Sequence, residues 1–176
     1  MANKQALRDL QTRLADRLQI ARTQGVAASW LAVETGDKKY LFPLSQSGEI
    51  FPWVAPQTVP YTRDWFVGVA NLRGGLFGVV DLEGLISGQP VRVRTELARA
   101  ESRFVALNSS LEVNCALWID RLSGLRNQSM FRDFSERASD APTYFGNRFV
   151  DFNNQTWQEI NLQRLAQQAH FLTIGA

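Results

Sequence analysis

The sequence predicts a mainly β fold in which a small closed barrel occurs twice. Three observations carry that expectation. Most apolar residues fall in short runs of about four to eight, not at helical spacing. Glycine, asparagine and proline punctuate the runs with turn chemistry. The runs of the first half then return in the second half at nearly constant offsets. A chain of 176 residues, 45% of them apolar, has enough material for a real core, as one domain or two small lobes.

Residues 3–24 are the exception to the β pattern. Leu7, Leu10, Leu14, Leu18 and Ala21 recur at steps of three and four, with arginines on the other face, so this stretch reads as an amphipathic helix stopped by Gly25. Such a helix either packs on its own domain or docks on a partner helix. From Ser29 the period changes. Trp30-Leu31-Ala32-Val33 and Tyr40-Leu41-Phe42-Pro43-Leu44 flank Thr35-Gly36-Asp37 as a hairpin. Gly48 to Val54 gives a further strand, ended by Pro52, Pro56 and Pro60. Runs 65–72 and 76–82 flank Arg73-Gly74-Gly75 as a second hairpin, whose turn needs positive φ.

Residues 87–102 are polar and arginine-rich, and mark a lobe boundary or a short helix. The pattern then restarts. Phe104–Leu107 echoes Trp30–Val33 at an offset of 74, and Ala116–Ile119 echoes Leu41–Leu44 at 75. At an offset of 80, Phe149 falls over Val69, Phe152 over Leu72, Trp157 over Phe77 and Ile160-Asn161-Leu162 over Val80-Asp81-Leu82. Asn153-Asn154 takes the turn, since asparagine tolerates left-handed backbone. Leu162, Leu165, Ala169 and Leu172 close the chain as a helix over 161–172. The predicted organisation is a helix over 1–25, then one domain over 26–176 with lobes at about 28–90 and 102–160.

The chemistry of most enzymes is missing. One cysteine, Cys115, and one histidine, His170, preclude an internal disulfide and a multi-histidine metal site within the chain. There is no phosphate-binding glycine loop with a lysine, and the glycines at 68, 74, 75 and 78 punctuate a hairpin instead. No cofactor or metal is expected. Asp81 and Asp120 read as strand-end acids; a hydrolase would need them to converge with Glu49 in one cleft. Four tryptophans sit in apolar runs as core residues, whereas Trp53, between Pro52 and Val54, is a candidate exposed anchor. The net charge of +2 gives little reason to expect nucleic acid, although a barrel using the arginines of 91–103 and exposed aromatics is the competing reading. The first twenty residues lack the apolar core of a signal peptide, and no stretch reads as membrane-spanning, so the expected location is cytoplasmic.

One resemblance sharpens these readings. Gly68-Val69-Ala70-Asn71-Leu72-Arg73-Gly74, followed by Gly78-Val79-Val80-Asp81-Leu82, resembles the G-V-x-N-[LI]-R-G and [VI]-[VI]-D-L signature of CheW-like coupling domains of bacterial chemotaxis systems. Glu49-Ile50 stands at the family's E-I, Ile119-Asp120-Arg121-Leu122 resembles its V-D-x-V, and the likeness runs over about 28–170. The Pro-rich insertion over 49–56 and the added N-terminal helix resemble the CheW-like adaptors of type IV pilus (twitching motility) systems. The resemblance implies two five-stranded SH3-like barrels related by pseudo-twofold symmetry. It also implies a non-catalytic adaptor in a two-component signalling pathway. That adaptor bridges the regulatory domain of a CheA-like histidine kinase and the cytoplasmic tip of a methyl-accepting chemoreceptor, and is recruited to membrane receptor arrays without entering the membrane. Glu49, Asn71 and Arg73 fall at receptor-facing positions, with Trp53 on a surface peculiar to the pilus type; no residue is assigned to the kinase.

Overall fold

The computed structural model describes residues 29–176, so the helix predicted over 3–24 lies outside the described residues. The first half supplies β1 (Trp30–Thr35), β2 (Lys38–Pro43), β3 (Ser47–Pro52), β4 (Phe66–Leu72), β5 (Gly75–Asp81) and helix α1 (Leu82–Ser87). A short helix α2 (Glu96–Glu101) crosses to the second half. There follow β6 (Arg103–Leu107), β7 (Cys115–Ile119), β8 (Arg121–Arg126), β9 (Phe131–Ser135), β10 (Phe145–Asp151), β11 (Thr156–Ile160), α3 (Leu162–Ala166) and α4 (Ala169–Leu172). The single C-terminal helix read from the sequence is thus two short ones, interrupted at Gln167-Gln168.

The strands form two open sheets, not two closed barrels. One runs β8-β1-β2-β11-β10-β9 and the other β3-β6-β7-β5-β4. The two orders are copies of one plan. β1 pairs with β2 as β6 pairs with β7, β8 borders β1 as β3 borders β6, and β11 lies parallel to β2 as β5 lies parallel to β7. Each sheet therefore takes its first hairpin from one half and its last from the other. Closure within one half fails because β2 and β5 find their inner neighbours in the opposite half.

The register keeps the sequence offsets in three strands and departs from them in one. Tyr40 faces Gln158 across β2 and β11, while Cys115 faces Gly78 across β7 and β5, the same steps of 75 and 80 read from the sequence. In β10, however, Phe149 faces Trp157 where Ala70 faces Phe77, so Phe149 lies over Ala70 and not over Val69. Leu72 is then matched by Asp151, 3% exposed, while Phe152 stands at the turn at 70%. A one-residue slip exchanges the faces of a strand, and here a longer turn in the second hairpin causes it.

Both faces of the central strands are buried, which is why RFVAL and CALWI read as unbroken apolar runs. Leu31, Tyr40, Phe42, Val105, Leu117 and Ile119 meet in a large core between the sheets. Behind one sheet lie Phe51, Ala70, Val79, Phe104 and Trp118; behind the other, Ala32, Leu41, Phe131, Phe149 and Trp157. These outer clusters show that each sheet curls. Four spacings of a flat sheet would hold β1 and β9 about 19 Å apart, yet the Trp30 and Phe131 rings lie 6.0 Å apart. Phe51 of β3 and Phe77 of β5 likewise approach to 5.8 Å. Side chains, not a backbone ladder, draw the edges together.

Gly68 shows how tightly one bend is built. It has φ +141° at the bulge of β4, where a Cβ would lie 2.1 Å from the carbonyl oxygen of Gln57. Gln57 and Val69 exchange hydrogen bonds at 2.7 and 2.9 Å beside it. Gly68→Ala combines a forbidden backbone angle with a backbone clash, and is expected to lower unfolding free energy by about 3 kcal/mol in urea titration.

Candidate functional site

The positions singled out in the sequence gather at the curled end of the five-stranded sheet. Leu72 pairs with Gly75, leaving Arg73 and Gly74 as a two-residue turn, with φ of 49° and 86°. Two positive φ angles make this the tight turn that matches strand twist. Asn71 Oδ1 accepts from Gly74 N at 2.8 Å, so the Asn71 side chain holds the turn. The turn aims Arg73 across the sheet at Glu49 on the edge strand β3, where Nη1 and Oε1 form an ion pair, with the guanidinium 5.8 Å from the Phe51 ring centre. The Arg73 and Glu49 side chains are 73% and 46% exposed, which makes this a rim contact of small net stability. A depression of about 240 Å³ beside it is lined by Glu49, Phe51, Phe77, Asn108 and Asn114.

Trp53 is not the exposed anchor expected from its proline neighbours. It is half-buried, 6.5 Å from Trp118 and with the Arg99 guanidinium 5.7 Å from its ring centre. It supports the rim from behind. The other tryptophans behave as read: Trp65, Trp118 and Trp157 are buried and Trp30 is half-buried against Phe149.

Sequence reasoning missed the strongest electrostatic feature of the molecule. Arg94, in the stretch read as a polar boundary, has a side chain 1% exposed. Its Nη2 lies 2.7 Å from Asp81 Oδ1, too bent for a straight hydrogen bond and so chiefly coulombic, while its Nε donates to Asp120 Oδ1 at 2.6 Å. The Trp118 ring lies 3.9 Å beneath the guanidinium. Arg92 pairs with Asp120 and, at 3.3 Å, with Glu83. The acids Asp81 and Asp120 thus converge, but on a buried arginine, with Glu49 elsewhere on an open rim; no hydrolase cleft results. The available signal was two acids, each closing an apolar strand, with an arginine-rich stretch between them.

Burial alone would raise the Asp120 carboxyl, but hydrogen bonds from Arg94 and Gly36 N, with the charges of Arg94 and Arg92, hold it below the usual range. Asp151 is likewise lowered against its burial by donors at Trp157, Gln155 and Asn153. Burial pushes the Cys115 thiol up to about 12, so it is an inert core group. His170 is exposed, with its ring 5.5 Å from Trp65. Among the described residues no cluster of His, Cys, Asp or Glu could hold a metal, and no helix is long and apolar enough to cross a membrane. The arginines of 91–103 are engaged by acceptors of the chain itself: Arg94 is buried, and Arg92, half-exposed, pairs with Glu83 and Asp120. Arg99 Nε donates to Arg94 O, and Arg103 Nη1 to the carbonyls of Ala100, Glu101 and Ser102.

A doubled two-sheet β module with an ion-paired rim on an open surface has the form of a protein-docking scaffold. Residues 29–170 match the CheW-like domain, and the chain belongs to that family. It is similar to protein PilI of Pseudomonas aeruginosa, 26% identical over 159 residues that cover 86% of this chain and 84% of PilI. Its fold is that of the scaffolding protein TtCheW from Thermoanaerobacter tengcongensis, with a TM-score of 0.58 at 17% identity, covering 74% of this chain and 86% of that one.

The Asp120 carboxyl titrates lower in the folded chain than its unfolded value near about 3.9. Its contribution to stability is therefore complete above that pH and is lost as pH falls through the folded value. Urea titrations should show unfolding free energy dropping below about pH 4, and Asp120→Asn should flatten the drop. An equally steep drop in the variant would assign the effect to other carboxylates.

Proposed function

We propose that this chain is a non-catalytic adaptor of the cytoplasm that couples a chemoreceptor to a CheA-like histidine kinase in a type IV pilus chemosensory pathway. Family membership supports the scaffold role, and similarity to PilI supports the pilus setting. The observation that carries the reading is the rim itself. Glu49 and Arg73, from the two sequence signatures, meet across the curled sheet as an exposed pair. In this reading the pair faces the receptor tip at the edge of an apolar contact, where charges set register more than affinity. Asn71 shapes the turn that presents Arg73, and Trp53 backs the same surface. The two sheets, each built from strands of both halves, offer separate faces, so receptor and kinase bind at once. The charge-balanced composition and the pairing of the arginines of 91–103 with acceptors of the chain itself favour a protein partner over nucleic acid.

Two measurements test it. The purified chain should co-sediment with the regulatory domain of the CheA-like kinase from the same source; a folded chain that fails to do so contradicts the coupling role. Arg73→Glu should disrupt coupling to the receptor's cytoplasmic tip while moving the thermal midpoint by less than about 4 °C, because an exposed pair contributes only about 0–1 kcal/mol. A large fall in the midpoint would make Arg73 a structural residue instead.

A further inference from the structure

The two copies of the sheet plan differ sharply at one place. In the five-stranded sheet, Cys115, Gly78, Val69 and Gln57 form a row across neighbouring strands. The first three are packed shut: Cys115 is buried, the Phe66 ring lies over Gly78 where a Cβ would come within 3.0 Å, and Val69 packs on the central core. The matching row of the other sheet is Tyr40, Gln158, Arg148 and Ser135. Here glycine is replaced by an amide and valine by a guanidinium. Tyr40, which also packs into the central core, Gln158 and Arg148 of this row line a groove of about 600 Å³.

Ile86, Phe145 and the edge of the largely buried Tyr40 give the groove its apolar contact, and its lining carries cationic charge at Lys38 and Arg148 beside one exposed carboxylate, Asp37. Arg148 is exposed and has no ion pair or side-chain hydrogen bond among the described residues. Lys38 has only Asp37 at 3.7 Å, with both side chains mostly in water, at 66% and 84% exposed. Neither charge is held by a buried partner among the described residues. Lys39, by contrast, is held by Glu34 at 2.9 Å. The groove volume suits a few side chains, and its charged wall is open to solvent, so the shape fits a chain segment lying across the strands better than an enclosed metabolite.

We infer that this groove is a second docking site, for an acidic peptide segment of a protein partner that places carboxylates at Lys38 and Arg148 and an apolar side chain against Phe145 and Ile86. It lies on the opposite sheet from the Glu49–Arg73 rim and stands whether or not that rim binds a receptor. The test titrates isotope-labelled full chain with a short soluble peptide of glutamates and two leucines, its lysine counterpart, citrate and an oligo-dT strand. The acidic peptide should shift the amides of Tyr40, Arg148 and Gln158. Arg148→Glu should weaken it about tenfold at unchanged thermal midpoint, and Arg73→Glu should leave it intact. No shift, equal binding of the lysine peptide, or indifference to Arg148→Glu would overturn the site. Citrate binding as tightly as the peptide would make it a small-anion site, and selective binding of the oligo-dT would make it a phosphate track; either replaces the proposal.

Discussion

The buried guanidinium of Arg94 is the contact on which the arrangement of the two halves turns. It comes from the crossover between them and meets Asp81 at the end of β5, Asp120 after β7 and the face of Trp118. Asp81 and Trp118 are register partners where β5 and β7 run parallel, so the arginine fastens the seam at which the halves exchange strands. Asp120 carries the tie onward to the other sheet. Its Oδ2 accepts from Gly36 N at 2.7 Å, and its own N–H donates to Glu34 O at 2.9 Å, both in the β1–β2 hairpin. Such a cluster adds little net stability against an apolar equivalent, but removing one partner strands a buried charge and costs about 3–5 kcal/mol. It acts chiefly as a constraint on which packing is allowed.

The need for that constraint follows from the strand exchange. A half that closed on itself would carry its own edges. Here each hairpin is completed by one from the other half of the chain, so neither half can bury both faces of its strands alone. The duplication is preserved in detail at the helix starts, where Asp81 caps α1 through Gly84 N and Asn161 caps α3 through Arg164 N. Asp81 alone also meets an arginine. The second half keeps the cap without the charge, and the centre of the molecule is correspondingly asymmetric.

Strands were legible because burial on one or both faces writes itself into runs and alternations. The offsets of 75 and 80 survived because β2, β7, β5 and β11 sit in the middle of the sheets, where a slip would turn core side chains outward. The register of β10 was not legible, since turn length is set by backbone geometry around Asp151 and not by the apolar pattern. Asp151 itself replaces a leucine-type position only because Trp157 Nε1 and two backbone N–H groups satisfy it. Open sheets read as closed barrels for a related reason: local patterns reveal hairpins but not which hairpins become neighbours. Arg94 was invisible because its partners lie 13 and 26 residues away in sequence and its immediate neighbours, Val93 and Thr95, are both exposed. The rim pair was approached only through resemblance, and Trp53 was misjudged because Trp118, which covers it, is remote in the chain.

Two arginine–carboxylate sites in one small protein separate what burial does to the same chemistry. At Arg94, with 1% of the side chain exposed, opening the pair means leaving charge in a low-dielectric interior, and the site is fixed. At Arg73, with 73% exposed, water replaces the partner at nearly equal free energy, and the pair can exchange Glu49 for another acceptor at little cost to the fold. The strained turn restricts where that guanidinium can go, which lowers the ordering cost of any contact it makes. A surface charge that is positioned by backbone geometry yet contributes almost nothing to stability is well suited to docking. The curled, unclosed sheet produces such a position, because its edges are joined by side chains that can part without breaking a ladder.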